Sequence, residues 1–152
     1  KSKDLDGPKM VVVHLLGPGK AFLVGDESPE FYMEQLDFTN EGLMRVVDAL
    51  LSDPDYSPVI VIQGDHGEGY SGAGASVEDM YRSRMGILNA YHFPQGGDSL
   101  LYPSITPVNT FRAIFNYYLG ADFEFLDDRS YWSQGPFGFL DVTDVVRIAS
   151  PR

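Results

Sequence analysis

Apolar residues along this chain come in short blocks separated by turn formers, and the spacing inside the blocks switches between two periods. Residues 10–16 (MVVVHLL) are β-branched and nearly all apolar, the composition of a strand covered on both faces. Gly17-Pro18-Gly19 ends that block. Ser28-Pro29-Glu30 then opens a helix, because serine can accept from the free N–H groups of the first turn and proline fits the first helical position. Tyr32, Leu36, Leu43, Val47 and Leu50 follow at helical spacing, and Asp53-Pro54-Asp55 stops the run. Residues 59–63 predict a second strand and residues 85–93 (MGILNAYHF) a third, closed by Pro94-Gln95-Gly96-Gly97. Thr106-Pro107 opens another helix, with Val108, Phe111, Phe115, Tyr118 and Leu119 as its apolar stripe and Gly120 as its stop.

The order is β-α-β-loop-β-α. Strands alternating with helices predict an α/β fold with a mainly parallel sheet flanked by helices. The segment from Asp122 onward is rich in aromatics and turn residues and predicts no single element. Repeats, low-complexity stretches and internal linkers are absent from the sequence.

Composition narrows the picture. A length of 152 residues suits one domain with a real core, and 43% hydrophobic with 13% aromatic residues marks a folded chain. The formal charge of −11 argues against nucleic acid and anionic membranes, which both need a basic face. With no cysteine, disulfides, thiolate metal sites and a cysteine nucleophile are excluded. No apolar run approaches the roughly 18 residues of a membrane span, and no signal peptide is visible. The first residue is Lys1, so the chain is expected to be a piece of something longer.

Candidate chemistry gathers where the predicted strands end. In an open parallel sheet, ligands bind beyond the carboxyl ends of the strands. Asp65 and His66 stand at that end of the second strand, and His14 lies in the first. A carboxylate and an imidazole there can hold a metal ion, while Gly67 and Gly69 allow close backbone approach. The plainer alternative is that Asp65 caps a turn and His66 is a surface residue. His92 reads as a loop histidine, Asp127-Asp128 as a solvated turn, and Phe111, Phe115 and Tyr118 as core. Arg82 and Arg84 suit either an anion or, more readily, Glu78 and Asp79. GEGYSGAGAS lacks the Lys-Ser/Thr of a phosphate cradle and shows no clear helix start, so it reads as a loop over the site.

Five segments carry a family resemblance. VIVIQGDHGEG resembles the strand and metal-binding turn of the alkaline phosphatase superfamily, in particular its sulfatase-like branch with the lipoteichoic-acid synthases. MVVVHLLGPGKAF resembles that branch's strand-His segment, and YMEQLDFTNEGLMRVVDALL its following helix. SRMGILNAYHFP resembles the strand after the turn, and SITPVNTFRAIFNYYLG the helix that closes the core. Together they span residues 10 to about 120 in the family's order.

The resemblance implies Asp65 and His66 as ligands of one divalent metal ion (Mn²⁺, Mg²⁺ or Ca²⁺), held weakly or not at all by this chain alone. It implies His14 as a contact to the phosphate or sulfate of an ester substrate. Gly19, Ala21 and Asn109 depart from the family pattern, which usually has histidine, proline and aspartate there. The family's nucleophile, a Thr, Ser or formylglycine, and one more metal-binding acid are expected before Lys1. Residues 1–152 are therefore expected to be the C-terminal portion of a sulfatase-like domain, with a partial alkaline-phosphatase-like fold, no catalytic residue of its own and no activity alone. Thr39, Ser71, Ser76 and Thr110 are nucleophile candidates by residue type only. The parent is expected to be a phosphate- or sulfate-ester hydrolase, or a phosphoglycerol- or phosphoethanolamine-type transferase. It is expected to be membrane-associated with an extracytoplasmic catalytic domain, the fragment itself being soluble and self-associating. The competing expectation is a non-catalytic module that keeps the fold for binding or assembly.

Overall fold

The computed structural model describes residues 7–18, 25, 28–67, 74–136 and 138–147. They fall into two units, Lys1–Tyr56 and Ser57–Arg152. The protein is mixed α/β. Its helices are α1 (Pro29–Leu51), α2 (Val77–Met85), α3 (Pro107–Leu119) and α4 (Thr143–Val146), and its strands are β1 (Ile60–Gln63), β2 (Asn89–His92), β3 (Tyr131–Ser133) and β4 (Phe139–Asp141). None of these helices is long and apolar enough to cross a membrane.

In the first unit, α1 begins as its caps dictate: Phe31 N donates to Ser28 Oγ at 3.3 Å, and Pro29 occupies the first turn. The predicted apolar stripe buries no residue fully, and Tyr32 and Leu50 are exposed. Residues 10–16 do not form the predicted strand. They are extended, and Met10, Val11, Val12, Val13, Leu15 and Leu16 are 49–79% exposed. The physical reason is the missing ladder: no described strand pairs with the segment, and an apolar run becomes a strand only when its backbone groups find partners. Gly19 and Ala21 lie outside the described residues.

The sheets of the second unit are two antiparallel pairs, β1–β2 and β3–β4, so the expected mainly parallel sheet is not what the described residues build. The register Ile60↔His92 to Gln63↔Asn89 has a local cause. After β1 the chain turns at Gly67, whose N–H donates to Arg84 O at 2.7 Å near the end of α2. Gly64 N then donates to Leu88 O at 2.9 Å. The connection returns to the end of β1 from which it left, and a strand starting there can run only antiparallel. Helix α2 itself takes the front of the predicted strand at residues 85–93. Its start is a capping box: Asp79 N donates to Ser76 Oγ at 3.1 Å and Ser76 N to Asp79 Oδ2 at 3.0 Å.

Tyr91 and Phe93 point from β2 toward α3: Tyr91 Oη lies 3.4 Å from Thr110 Oγ1, and the Phe93 ring is 6.3 Å from that of Tyr118. The buried face of α3 is Asn109, Thr110, Ala113 and Ile114, not the predicted stripe, of which Val108 and Leu119 are exposed. Gly120 ends the helix at φ 65°, a conformation suited to glycine.

The segment after Gly120 is bound to α3 by polar side chains. Asn116 Nδ2 donates to Phe123 O at 2.9 Å, and Phe123 N to Asn116 Oδ1 at 2.8 Å. Asn109 repeats the arrangement with Leu126, its Nδ2 donating at 2.7 Å and its Oδ1 accepting at 3.0 Å. Asp128 closes the helix start: Oδ1 accepts from Thr106 N at 2.8 Å, Thr106 Oγ1 at 2.8 Å and Asn109 Nδ2 at 2.9 Å, and Oδ2 from Tyr102 Oη at 2.6 Å. The expected solvated turn at Asp127-Asp128 thus holds only for Asp127, which pairs with Arg129 at 3.2 Å. Asp128 is a helix cap supplied from outside the helix.

Burial pushes the Asp128 carboxyl up, but the hydrogen bonds from Tyr102, Thr106 and Asn109 outweigh it and hold its pKa below the ordinary 3.8. A carboxyl depressed in the folded state contributes stability above its unfolded pKa, and that contribution is lost as pH falls through the folded value. Asp128→Asn is therefore expected to melt earlier than the natural chain at pH 7 and to converge with it on acidification below about pH 4. Melting followed by circular dichroism across that range checks this; a gap that stays constant with pH would refute the cap's ionisation.

Candidate functional site

The strand β1 delivers Gly64 and then Asp65, His66 and Gly67 into a turn that leans on the end of α2. Only glycine fits at 67, because a Cβ there would meet Ser83 O, and Gly86 O at 2.6 Å. Those carbonyls belong to the last turn of α2 and its cap. Gly67 O faces the other way and accepts twice, from His66 Nδ1 at 3.0 Å and from Arg84 Nη1 at 3.3 Å.

The bond to a carbonyl decides the histidine's tautomer. Gly67 O can only accept, so His66 Nδ1 carries the proton, and in the neutral ring the lone pair sits on Nε2. Asp65 divides its oxygens in the same manner: Oδ1 accepts from His66 N at 3.0 Å, and Oδ2 lies 3.7 Å from His66 Nε2. Two donor atoms are left facing one another at the turn's surface, where the side chains of Asp65 and His66 are 81% and 49% exposed.

A carboxylate oxygen and an imidazole nitrogen are donor types that divalent cations accept. Two atoms each about 2.1 Å from a common ion and 3.7 Å apart would subtend about 124° at it, wider than the roughly 109° of a tetrahedral site or the 90° of an octahedral one, so a bound ion would have to draw the two side chains closer. The Gly67 carbonyl holds the His66 ring through Nδ1, an arrangement common behind metal-ligating imidazoles, and Arg84 binds that same carbonyl. Among the described residues no group of three or more His, Asp or Glu side chains gathers as a metal site.

His14 is exposed in the extended segment of the first unit. His92 ends β2 and pairs in register with Ile60, so it stands at the far end of β1 from Asp65, about 16 Å along the strand. That removes it as a third ligand. Asn109 is fully buried and its amide is committed to Leu126 and Asp128. The hydroxyls with described positions are committed as well. Thr39 Oγ1 donates to Gln35 O at 2.7 Å, Ser76 caps α2, and Thr110 is fully buried with Oγ1 donating to Thr106 O at 3.2 Å. Gly69 and Ser71, with the middle of the GEGYSGAGAS segment, lie outside the described residues. Arg82 takes the expected acidic partners, Glu78 and Asp79, each at 3.5 Å.

Sequence reasoning missed Arg84's contact with the turn. Its signal was weak, an arginine one residue before the end of a helix that the periodicity did not reveal. Ser76-x-x-Asp79 could have revealed that helix.

No protein-family model, curated protein or solved structure matches the chain.

The close approach at Gly67 gives a direct test of the turn. Gly67→Ala is expected to cost about 1–3 kcal/mol, since the added methyl must displace two backbone carbonyls. Asp65→Asn, at an exposed position, is expected to stay within about 0.5 kcal/mol of the natural chain. Denaturant titration of both variants measures this, and an unchanged midpoint for Gly67→Ala would show that the turn does not sit on α2.

Proposed function

We propose that this chain is the part of a sulfatase-like domain that carries the metal-binding Asp-His-Gly turn, serving a phosphate- or sulfate-ester hydrolase or transferase. One observation carries the reading: among the described residues, Asp65 Oδ2 and His66 Nε2 take no other hydrogen bond, and they lie 3.7 Å apart. A bound divalent ion would neutralise the ester's anionic oxygens and lower the pKa of an attacking hydroxyl. Within that chemistry, Asp65 supplies negative charge, and His66 supplies a neutral nitrogen whose tautomer is held by Gly67 O. The Gly67 carbonyl keeps the ring from turning away, and Arg84 donates to that carbonyl.

His14 is proposed as a contact to the substrate's anion, on the resemblance of its segment alone. The attacking hydroxyl is assigned to none of Thr39, Ser76 and Thr110, whose hydroxyls serve the backbone. An alkaline-phosphatase-like fold is compatible with the β1–β2 pair, since large parallel sheets often carry an antiparallel strand at one edge. An oxygen-rich site with one imidazole suits Mn²⁺ best, with Mg²⁺ and Ca²⁺ as harder alternatives.

Paramagnetic broadening by Mn²⁺ tests the assignment without turnover. Amide resonances of residues 64–67 are expected to broaden first as Mn²⁺ is added, and Asp65→Asn is expected to lower the affinity at least about tenfold by removing the charged ligand. Equal broadening in Asp65→Asn, or broadening centred on residues other than 64–67, would overturn the reading.

A further inference from the structure

We propose that Arg84 binds the tetrahedral oxyanion, phosphate or sulfate, of the ester handled at Asp65 and His66; this deepens the reading of those two residues as a metal pair and rests on it. The two arginines of α2 divide. Arg82 is spent within the second unit: its guanidinium meets Glu78 and Asp79, each at 3.5 Å, and its Nε donates to Val145 O at 2.9 Å. Arg84 stands two residues on, about 200° further around the helix. Its Nη1 donates to Gly67 O at 3.3 Å, the carbonyl that also accepts from His66 Nδ1 at 3.0 Å. The backbone adds a second tie, from Gly67 N to Arg84 O at 2.7 Å. Because both nitrogens approach one oxygen, Arg84 Nη1 stands within about 6 Å of the His66 ring.

The rest of that guanidinium is open. The chain has 22 Asp and Glu against 11 Lys and Arg, and Arg129 takes two of these acids, Asp127 and Asp141. Among the described residues no carboxylate pairs with Arg84, Asp65 included. Its Nε and Nη2 carry no hydrogen bond there, and neither is shut inside the protein, since among the described residues the buried side-chain nitrogen without a partner belongs to Arg112. Nε and Nη2 lie on one edge of the planar group and form a two-donor fork that fits two oxygens of a phosphate or sulfate. The bond at Nη1 holds the fork in place, so less side-chain freedom is lost when an anion binds.

Charge makes the arginine necessary. The chain carries −11, and Asp65 by itself repels an anion. A divalent ion on Asp65 and His66 would reverse that sign, and Arg84 adds a further positive charge beside it, which suits the roughly two negative charges of a phosphate at pH 7. A tetrahedral anion in front of the His66 ring is large enough to reach the fork with N–H···O contacts of about 2.8 Å. Unlike His14, which belongs to the first unit, Arg84 shares a unit with Asp65 and His66. Arg84 also stands in the last turn of α2, where any cation is favoured by the helix dipole, so the test separates an anion contact from mere support of the turn.

Titration of the chain with inorganic phosphate and with inorganic sulfate at saturating Mg²⁺, read by the Arg84 Nε–H and backbone amide resonances, provides that test. Both anions are expected to shift Arg84 Nε–H together with residues 64–67, and the one that binds more tightly identifies the ester. Arg84→Gln is expected to weaken anion binding at least about tenfold, and Arg84→Lys by less, since lysine keeps the charge and loses the fork. An unmoved Arg84 Nε–H would overturn the proposal, and so would equal anion affinity in the natural chain and Arg84→Gln. Should Arg84→Gln fail to fold, the Nε–H resonance of the natural chain still decides. The two readings fail separately. Residues 64–67 unmoved by Mg²⁺ alone would sink the metal pair, while Mg²⁺ binding there with anion affinity unchanged by Arg84→Gln would sink the role of Arg84 alone.

Discussion

The second unit depends on a match of two repeats, held by asparagine side chains. Asn116 and Asn109 lie seven residues apart on α3, about 10.5 Å along a helix. Phe123 and Leu126, which they bind, lie three residues apart in extended chain, about 10 Å. Because the two distances agree, each amide can give and take a hydrogen bond with the backbone alongside, as a strand would. Asp128 then caps the helix start that Thr106 leaves open. A helix and an irregular segment are joined by a ladder in which side chains replace one strand.

That ladder reaches the candidate site through a traceable set of contacts. It places Ser130, whose N–H donates to Thr143 Oγ1 and whose carbonyl accepts from Val142 N, so that Val142 is buried at the base of α4. From α4, Val145 O accepts from Arg82 Nε at 2.9 Å, and from β3 the Trp132 ring meets Tyr81 at 5.0 Å. Both contacts fall on α2. The far end of α2 supplies the carbonyls against which Gly67 packs. The orientation of Asp65 and His66 is thus tied to residues some sixty positions later, although their chemistry is local to one turn.

Legibility in the sequence followed the range of the interaction. Ser28-Pro29, Thr106-Pro107 and Gly120 mark helix ends because a cap or a left-handed residue acts within a few positions, and the structure has those ends where the residues stand. The turn at Asp65-His66-Gly67 was legible for the same reason. Strand direction was not, because it depends on where the chain comes back, and α2 was hidden in a stretch without apolar periodicity. The buried face of α3 was misread because hydrophobicity was taken as the signal for burial. Asn109 and Thr110 are fully buried and satisfied by partners far along the chain or one turn back. A buried amide with matched partners looks, in sequence, the same as an exposed one.

The segment at residues 10–16 and the outer face of α3 present one physical problem in two forms. Both carry apolar side chains that the described residues leave in water. Local preference can extend a β-branched run or wind a capped helix, but it covers neither, and burial is what stabilises both. The two differ in what they reveal about a cover. An extended apolar segment accepts any strand edge, because its backbone groups carry no sequence information. The α3 face is more selective, since a helix pairs its backbone groups within itself and leaves only side-chain shape for a cover to match.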